Sequence, residues 1–314
     1  MKKSTSSHIR LRDFVRDFNG WIYSVTAYDN DESVGCLLRY IPDENGKRID
    51  PSGIRYRKLE FEEAYEIIAR VHPSYAGLIH RIPLTDIAWV YKPDRALQTL
   101  AEHDTQVDLL CDLFSGLAFG ITGSRLVGLG SSDSDIDGVV YGSDFHIAQS
   151  RLKKGIEYGI VSDLSDELWK AVYKKRNPEL SYYEFLVHEA RKWNRGQIDE
   201  TYFDLLFVRS YGEMMNYHVP IGEKGEIEEI EAVVTDATFA YDSPAIYLVD
   251  HVKYDAIVSF THTYSGQALA GERVQARGVT ETHADGTRWL VIGSTRVAKG
   301  EYIRSLTLLE SFQR

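Results

Sequence analysis

Residues 12–40 carry the period of strands. Trp21-Ile22-Tyr23-Ser24-Val25-Thr26-Ala27-Tyr28 mixes β-branched and aromatic residues, Asp29-Asn30-Asp31 turns the chain, and Val34 to Ile41 returns, so a hairpin is expected. From Glu60 the apolar positions Phe61, Ala64, Tyr65, Ile67, Ile68 and Val71 fall at helical intervals until His72-Pro73 stops them. Helical spacing resumes over Thr99 to Leu117. Phe119 to Thr122 then reads as a short buried strand running into Gly123-Ser124, and Ile136 to Tyr141 as a second. Residues 164–176 and 181–195 read as helices, the first begun by Asp163 or Ser165, with Asn177-Pro178 between them. Tyr202 to Val208 is apolar except for Asp204, the pattern of an inner strand. After Gly222 short strand-like runs recur at Val233, 245–249, 256–260, 273–282 and 288–292, with a turn at Ala284-Asp285-Gly286. The acidic stretch Glu226 to Glu231 reads as a solvated linker or helix surface.

These patterns predict an α+β protein in three parts: an N-terminal α+β accessory domain over 1–100, a mixed-sheet α/β core over 101–215, and a C-terminal β-rich sandwich or barrel over 216–314. With 43% hydrophobic and 26% charged residues in 314, the chain has an ordinary globular composition. No apolar run is long enough for a membrane span and the opening residues lack a leader's apolar stretch, so a cytoplasmic protein with no membrane partner is expected. The two cysteines, Cys36 and Cys111, suit a reducing compartment and exclude a cysteine-built zinc site.

The net charge of -11 is uneven: residues 1–100 are nearly balanced, and 101–220 carry 12 Lys and Arg against 19 Asp and Glu. So acidic a chain cannot hold a polyanion by its overall field, and a nucleic-acid partner must meet local basic patches. Such residues gather at Arg151, Lys153, Lys154, Lys170, Lys174, Lys175, Arg176, Arg191, Lys192 and Arg195, which form either a grip for an anionic acceptor or ordinary solvated helix faces.

The stretch 123–137, Gly-Ser-Arg-Leu-Val-Gly-Leu-Gly-Ser-Ser-Asp-Ser-Asp-Ile-Asp, holds the candidate chemistry. A strand entering Gly123-Ser124 leaves backbone N–H groups that can meet a phosphate, and Arg125 directly after them is a candidate phosphate contact. Asp135 and Asp137, two residues apart at a strand's start, project from one face, and like charges so close call for a cation such as Mg²⁺. Asp204 supplies a third acid, or else is a buried carboxylate paired to Arg209 or another base. Ser131, Ser132 and Ser134 turn the chain into the acidic strand, and no Walker lysine accompanies Gly128 and Gly130.

Gly-Ser-Arg-x-x-Gly followed by Ser-Asp-Ile-Asp, with a later isolated Asp on a strand, resembles the polymerase-beta-type nucleotidyltransferase superfamily; the spacing between Gly-Ser and Asp-x-Asp is similar to that of its small stand-alone members, and the chain also resembles an uncharacterised archaeal branch. The resemblance covers roughly 101–212. It implies a nucleotidyltransferase of the 2.7.7 type that moves a nucleoside monophosphate from an NTP to an acceptor hydroxyl, an RNA 3′ end ahead of a protein or small molecule, with release of pyrophosphate. It further implies two Mg²⁺ ions, or Mn²⁺ in their place, on Asp135, Asp137 and Asp204, which serve as metal ligands and catalytic groups. Gly123, Ser124 and Arg125 would hold the nucleotide. Gly138 stands where relatives carry an apolar residue. The rival expectation is a nucleotide- or RNA-binding module that keeps the fold without turnover.

Overall fold

The computed structural model describes residues 8–131, 134–214, 220, 222–295 and 298–312. The chain is of mixed α and β structure and divides into two compact units, residues 1–162 with 194–218, and residues 163–193 with 219–314. None of the described helices is long and apolar enough to cross a membrane.

The first unit holds two sheets. One has seven antiparallel strands: Arg48–Ile49, Arg55–Lys58, Ser33–Pro42, Ile22–Val25, Phe14–Asp17 and Ile87–Tyr91 in path order, with His80–Pro83 also pairing Ser33–Pro42. The expected hairpin is its centre, Ile22–Val25 against Ser33–Pro42. The helix Phe61–Val71 buries Ala64, Ile67 and Ile68 of its expected stripe in a core with Val15, Tyr23, Val34 and Leu38, while Phe61 and Val71 at its ends are exposed.

The other sheet runs Arg195–Ile198, Thr201–Val208, Ile136–Tyr141, Phe119–Thr122. Its two inner strands are parallel and both outer pairings antiparallel. The apolar run 205–208 lies on an inner strand, as expected of a segment covered on both faces. Gly138 sits within a regular strand, where a Cβ would press on Leu205 and Phe119 at 3.0 Å, so glycine lets these two side chains close over it. The helix Asp144–Glu157, absent from the sequence reading, packs here through Phe145, Ala148 and Leu152.

Thr99 to Leu117 is not one helix. Helices Pro93–Ala101 and Thr105–Leu113 meet at Asp104, whose carboxylate accepts the N–H groups of Gln106 and Val107 at 3.1 and 3.2 Å and starts the second.

The second unit opens with helices Asp166–Arg176 and Tyr182–Ala190, capped by Ser165 and Ser181. The latter ends before residue 195, and Arg195 instead begins a strand of the first unit. Six strands follow. Glu223–Asp236 pairs both Ala245–Asp250 and Arg273–Thr282, so that with Ala256–Ser259 and Arg288–Ile292 five strands close a ring, the barrel of the two expected forms. Ile230, Ala232, Val234, Tyr247, Leu290 and Ile303 fill it. The stretch Glu226 to Glu231 is therefore strand, not linker or helix.

Candidate functional site

Strand register assembles the acids. Thr122 lies opposite Asp137, Asp137 opposite Asp204, and Asp204 opposite Arg195, so the four side chains form one row across the four-stranded sheet. Asp135 directly precedes the strand that carries Asp137 and is exposed, whereas Asp204 is buried. Asp204 faces Arg195, with Oδ1 and Nε 3.4 Å apart, a buried acid beside a base. Arg195 is a base at this acid, and Arg209, also buried, gives its backbone N–H to the Tyr28 hydroxyl at 3.0 Å.

The Gly-Ser bend lies against the second acid. Gly123 has φ of +72°, and a Cβ on it would fall inside hard contact with Asp137 Oδ2. Glycine is required on both counts: the left-handed backbone and the carboxylate pressed to it. Ser124 is half-buried, and its carbonyl accepts the Leu129 N–H at 2.9 Å, closing the short helix Gly123–Leu126 onto the following loop.

Arg125 turns inward. Its guanidinium is bound to the Asp104 carboxylate and the Ser134 carbonyl, the latter at 2.7 Å, and is buried. These groups hold its charge beneath the loop, and a phosphate contact would have to draw it from them.

Three further residues, Arg48, Thr122 and Tyr40, complete the surroundings. Arg48 Nη1 reaches the Leu129 carbonyl at 3.1 Å, Ser131 Oγ at 3.2 Å and Ser134 Oγ at 3.1 Å. Thr122 donates its hydroxyl to the Arg12 carbonyl at 2.5 Å, and Arg12 itself is held at φ of +71°. Tyr40 is buried; burial pushes its phenol up, Arg39 and Arg48 pull it down, and the nearby Asp137 charge pushes it further up. The serine turn is seen at Ser131 and Ser134, whose backbone and hydroxyl groups bond each other at 2.9–3.0 Å; Ser132 lies outside the described residues.

The expected basic grip is largely used internally. Arg151 binds the Ser115 carbonyl at 2.6 Å, Arg176 and Lys192 pair with Glu189, and Arg191 binds Glu272. Lys154, Lys170, Lys174 and Lys175 remain exposed.

Carboxylate oxygens are the donors a hard divalent cation takes, and Asp137 and Asp204 stand side by side as a bridging pair must. Among the described residues no three His, Cys, Asp or Glu side chains are gathered about one point, so Asp135 has to turn toward the pair to close such a site. Asp137 and Asp204 fit the group in kind and in row, and Asp135 lies outside the row.

No family model matches the chain, and no solved structure matches it. Uncharacterized protein MJ1086 of Methanocaldococcus jannaschii is 34% identical over 340 aligned residues, covering 94% of this chain and 98% of that protein. The chain belongs to the same family as this archaeal protein.

Proposed function

We propose that the chain is a divalent-cation-dependent nucleotidyltransferase. The observation that carries the reading is the register that sets Asp137 between Thr122 and Asp204 while the Gly123 bend lies against its carboxylate. An acid pair beside a left-handed Gly-Ser bend serves two needs of phosphoryl transfer at once: a negative locus for cations, and open backbone where a polyphosphate can approach.

In this reading Gly123 and Ser124 hold the nucleotide's phosphates. Asp135, Asp137 and Asp204 would hold Mg²⁺ or Mn²⁺, which when bound offsets charge on the triphosphate and acidifies the acceptor hydroxyl. Asp204 orients that hydroxyl for attack on the α-phosphorus. The new bond joins acceptor oxygen to phosphorus as the hydroxyl proton passes to solvent, the α–β bridging bond breaks, and pyrophosphate leaves with the electron pair. Arg195, paired with Asp204, holds the carboxylate in the row and balances its charge. The protein's share of the work is position and electrostatics. An RNA 3′ end is the first acceptor to test, ahead of a protein hydroxyl or a small molecule.

Incubation of the purified chain with each α-labelled NTP, Mg²⁺ and fractionated cell RNA, protein and metabolites tests this directly. The expected result is label in one acceptor class with stoichiometric pyrophosphate. Calorimetric NTP binding with no release under any condition would replace the enzyme by a nucleotide-binding module, and neither binding nor release would end the reading.

A further inference from the structure

The loop between the bend and the acidic strand is gripped from two sides. Arg125 holds the Ser134 carbonyl from below. From the seven-stranded sheet, Arg48 brings Nη1 within 3.1–3.2 Å of Leu129 O, Ser131 Oγ and Ser134 Oγ, three acceptors that bracket the turn ending one residue before Asp135. The same sheet shares a core with the bend: Phe14, Ile22, Tyr40 and Tyr56 pack with Leu126, Val127 and Leu129. Without a cation, neighbouring carboxylates repel and a loop carrying one of them relaxes away from the others. A guanidinium nitrogen set among the loop's carbonyl and hydroxyl oxygens opposes that relaxation.

We infer that Arg48 is a positioning residue: it sets the loop so that Asp135 stands ready to join Asp137 in ion binding, and the N-terminal sheet is a working part of the site. The inference rests on the nucleotidyltransferase reading and deepens it. Loss of a group that orients a metal ligand weakens metal affinity by about 10–100-fold. For Arg48→Gln we expect the Mg²⁺ concentration for half-maximal transfer to rise at least about 10-fold, with a smaller fall in kcat at saturating Mg²⁺; Arg48→Lys should lie between the two.

A second readout needs no turnover. Mn²⁺ titration of the nucleotide-free chain, followed by its electron spin resonance, should show the same loss in Arg48→Gln, and no further loss when Arg48→Gln is added to Asp135→Ala. Unchanged Mn²⁺ affinity in Arg48→Gln overturns the inference, as does an additive loss in the double variant or a lowered Tm with the metal dependence intact. A parent whose Mn²⁺ affinity depends on both Asp135 and Arg48 but that transfers no nucleotide would remove the functional reading and leave the positioning role standing. A parent that binds no Mn²⁺ would remove the positioning role.

Discussion

A methyl group at position 123 has nowhere to go. Left-handed backbone costs an ordinary residue about 1–2 kcal/mol, and here the Cβ would also strike the Asp137 carboxylate. Gly123→Ala is therefore expected to lower Tm by several degrees and abolish transfer together, read by thermal unfolding and pyrophosphate release; a variant with parental Tm and turnover would refute the close approach. Two buried histidines set an acid limit. His80 is fully buried with neither ring nitrogen hydrogen-bonded, and burial pushes its pKa down to about 4. His188, also lowered to about 4 chiefly by burial, uses both nitrogens in the neutral form, donating to the Glu184 carbonyl at 2.7 Å and accepting the Ser305 N–H at 2.8 Å. The folded chain then binds these protons less readily than the unfolded chain, whose histidines titrate near 6.5. Stability is thus full above about pH 6.5 and falls as pH drops toward 4. His80→Phe should flatten this slope in Tm measured from pH 7 to 4.5, and an unaltered slope would count against the buried neutral ring. The bend at Gly123 and the strand that carries Asp137 were legible in the sequence because both are local features. Arg48 was not, since its acceptors lie more than 80 residues away, and neither were the partners of Arg125, which one helical turn after the bend swings under the loop.

Among the elements, Asp104 does two jobs that sequence spacing hid. Apolar residues from Leu100 to Leu117 keep helical intervals across a break, so periodicity alone joins two helices that a capping carboxylate separates. That carboxylate also pairs with Arg125. Asn can still cap a helix but cannot balance a buried guanidinium. Stability should fall from the parent through Asp104→Asn to Asp104→Ala, the last by about 2–4 kcal/mol in denaturant unfolding; equal losses in the two variants would leave the ion pair without energetic weight. The acidic strand went unread for a related reason. Glutamate disfavours strands, but Ile230, Ala232 and Val234 alternate inward while Glu229 and Glu231 face out and meet Gln275 and Arg273 across the sheet.

At the scale of the molecule, a contiguous cut at residues 100 and 215 follows changes of pattern, whereas the chain leaves the first unit at Ser162 and returns at Asn194. The strand that places Arg195 beside Asp204 thus follows an excursion of 31 residues into the second unit. Periodicity reports what each segment buries and is blind to which segments meet, so the α+β character was legible and the grouping was not. The central claim is that the row from Thr122 to Asp204 transfers nucleotides, and pyrophosphate release by the parent compared with Asp137→Asn, under Mg²⁺ and the NTP the parent prefers, tests it most directly. We predict release by the parent and a loss of about 100-fold or more in the variant, with Tm within a few degrees of the parent. Equal release by the two proteins would contradict it.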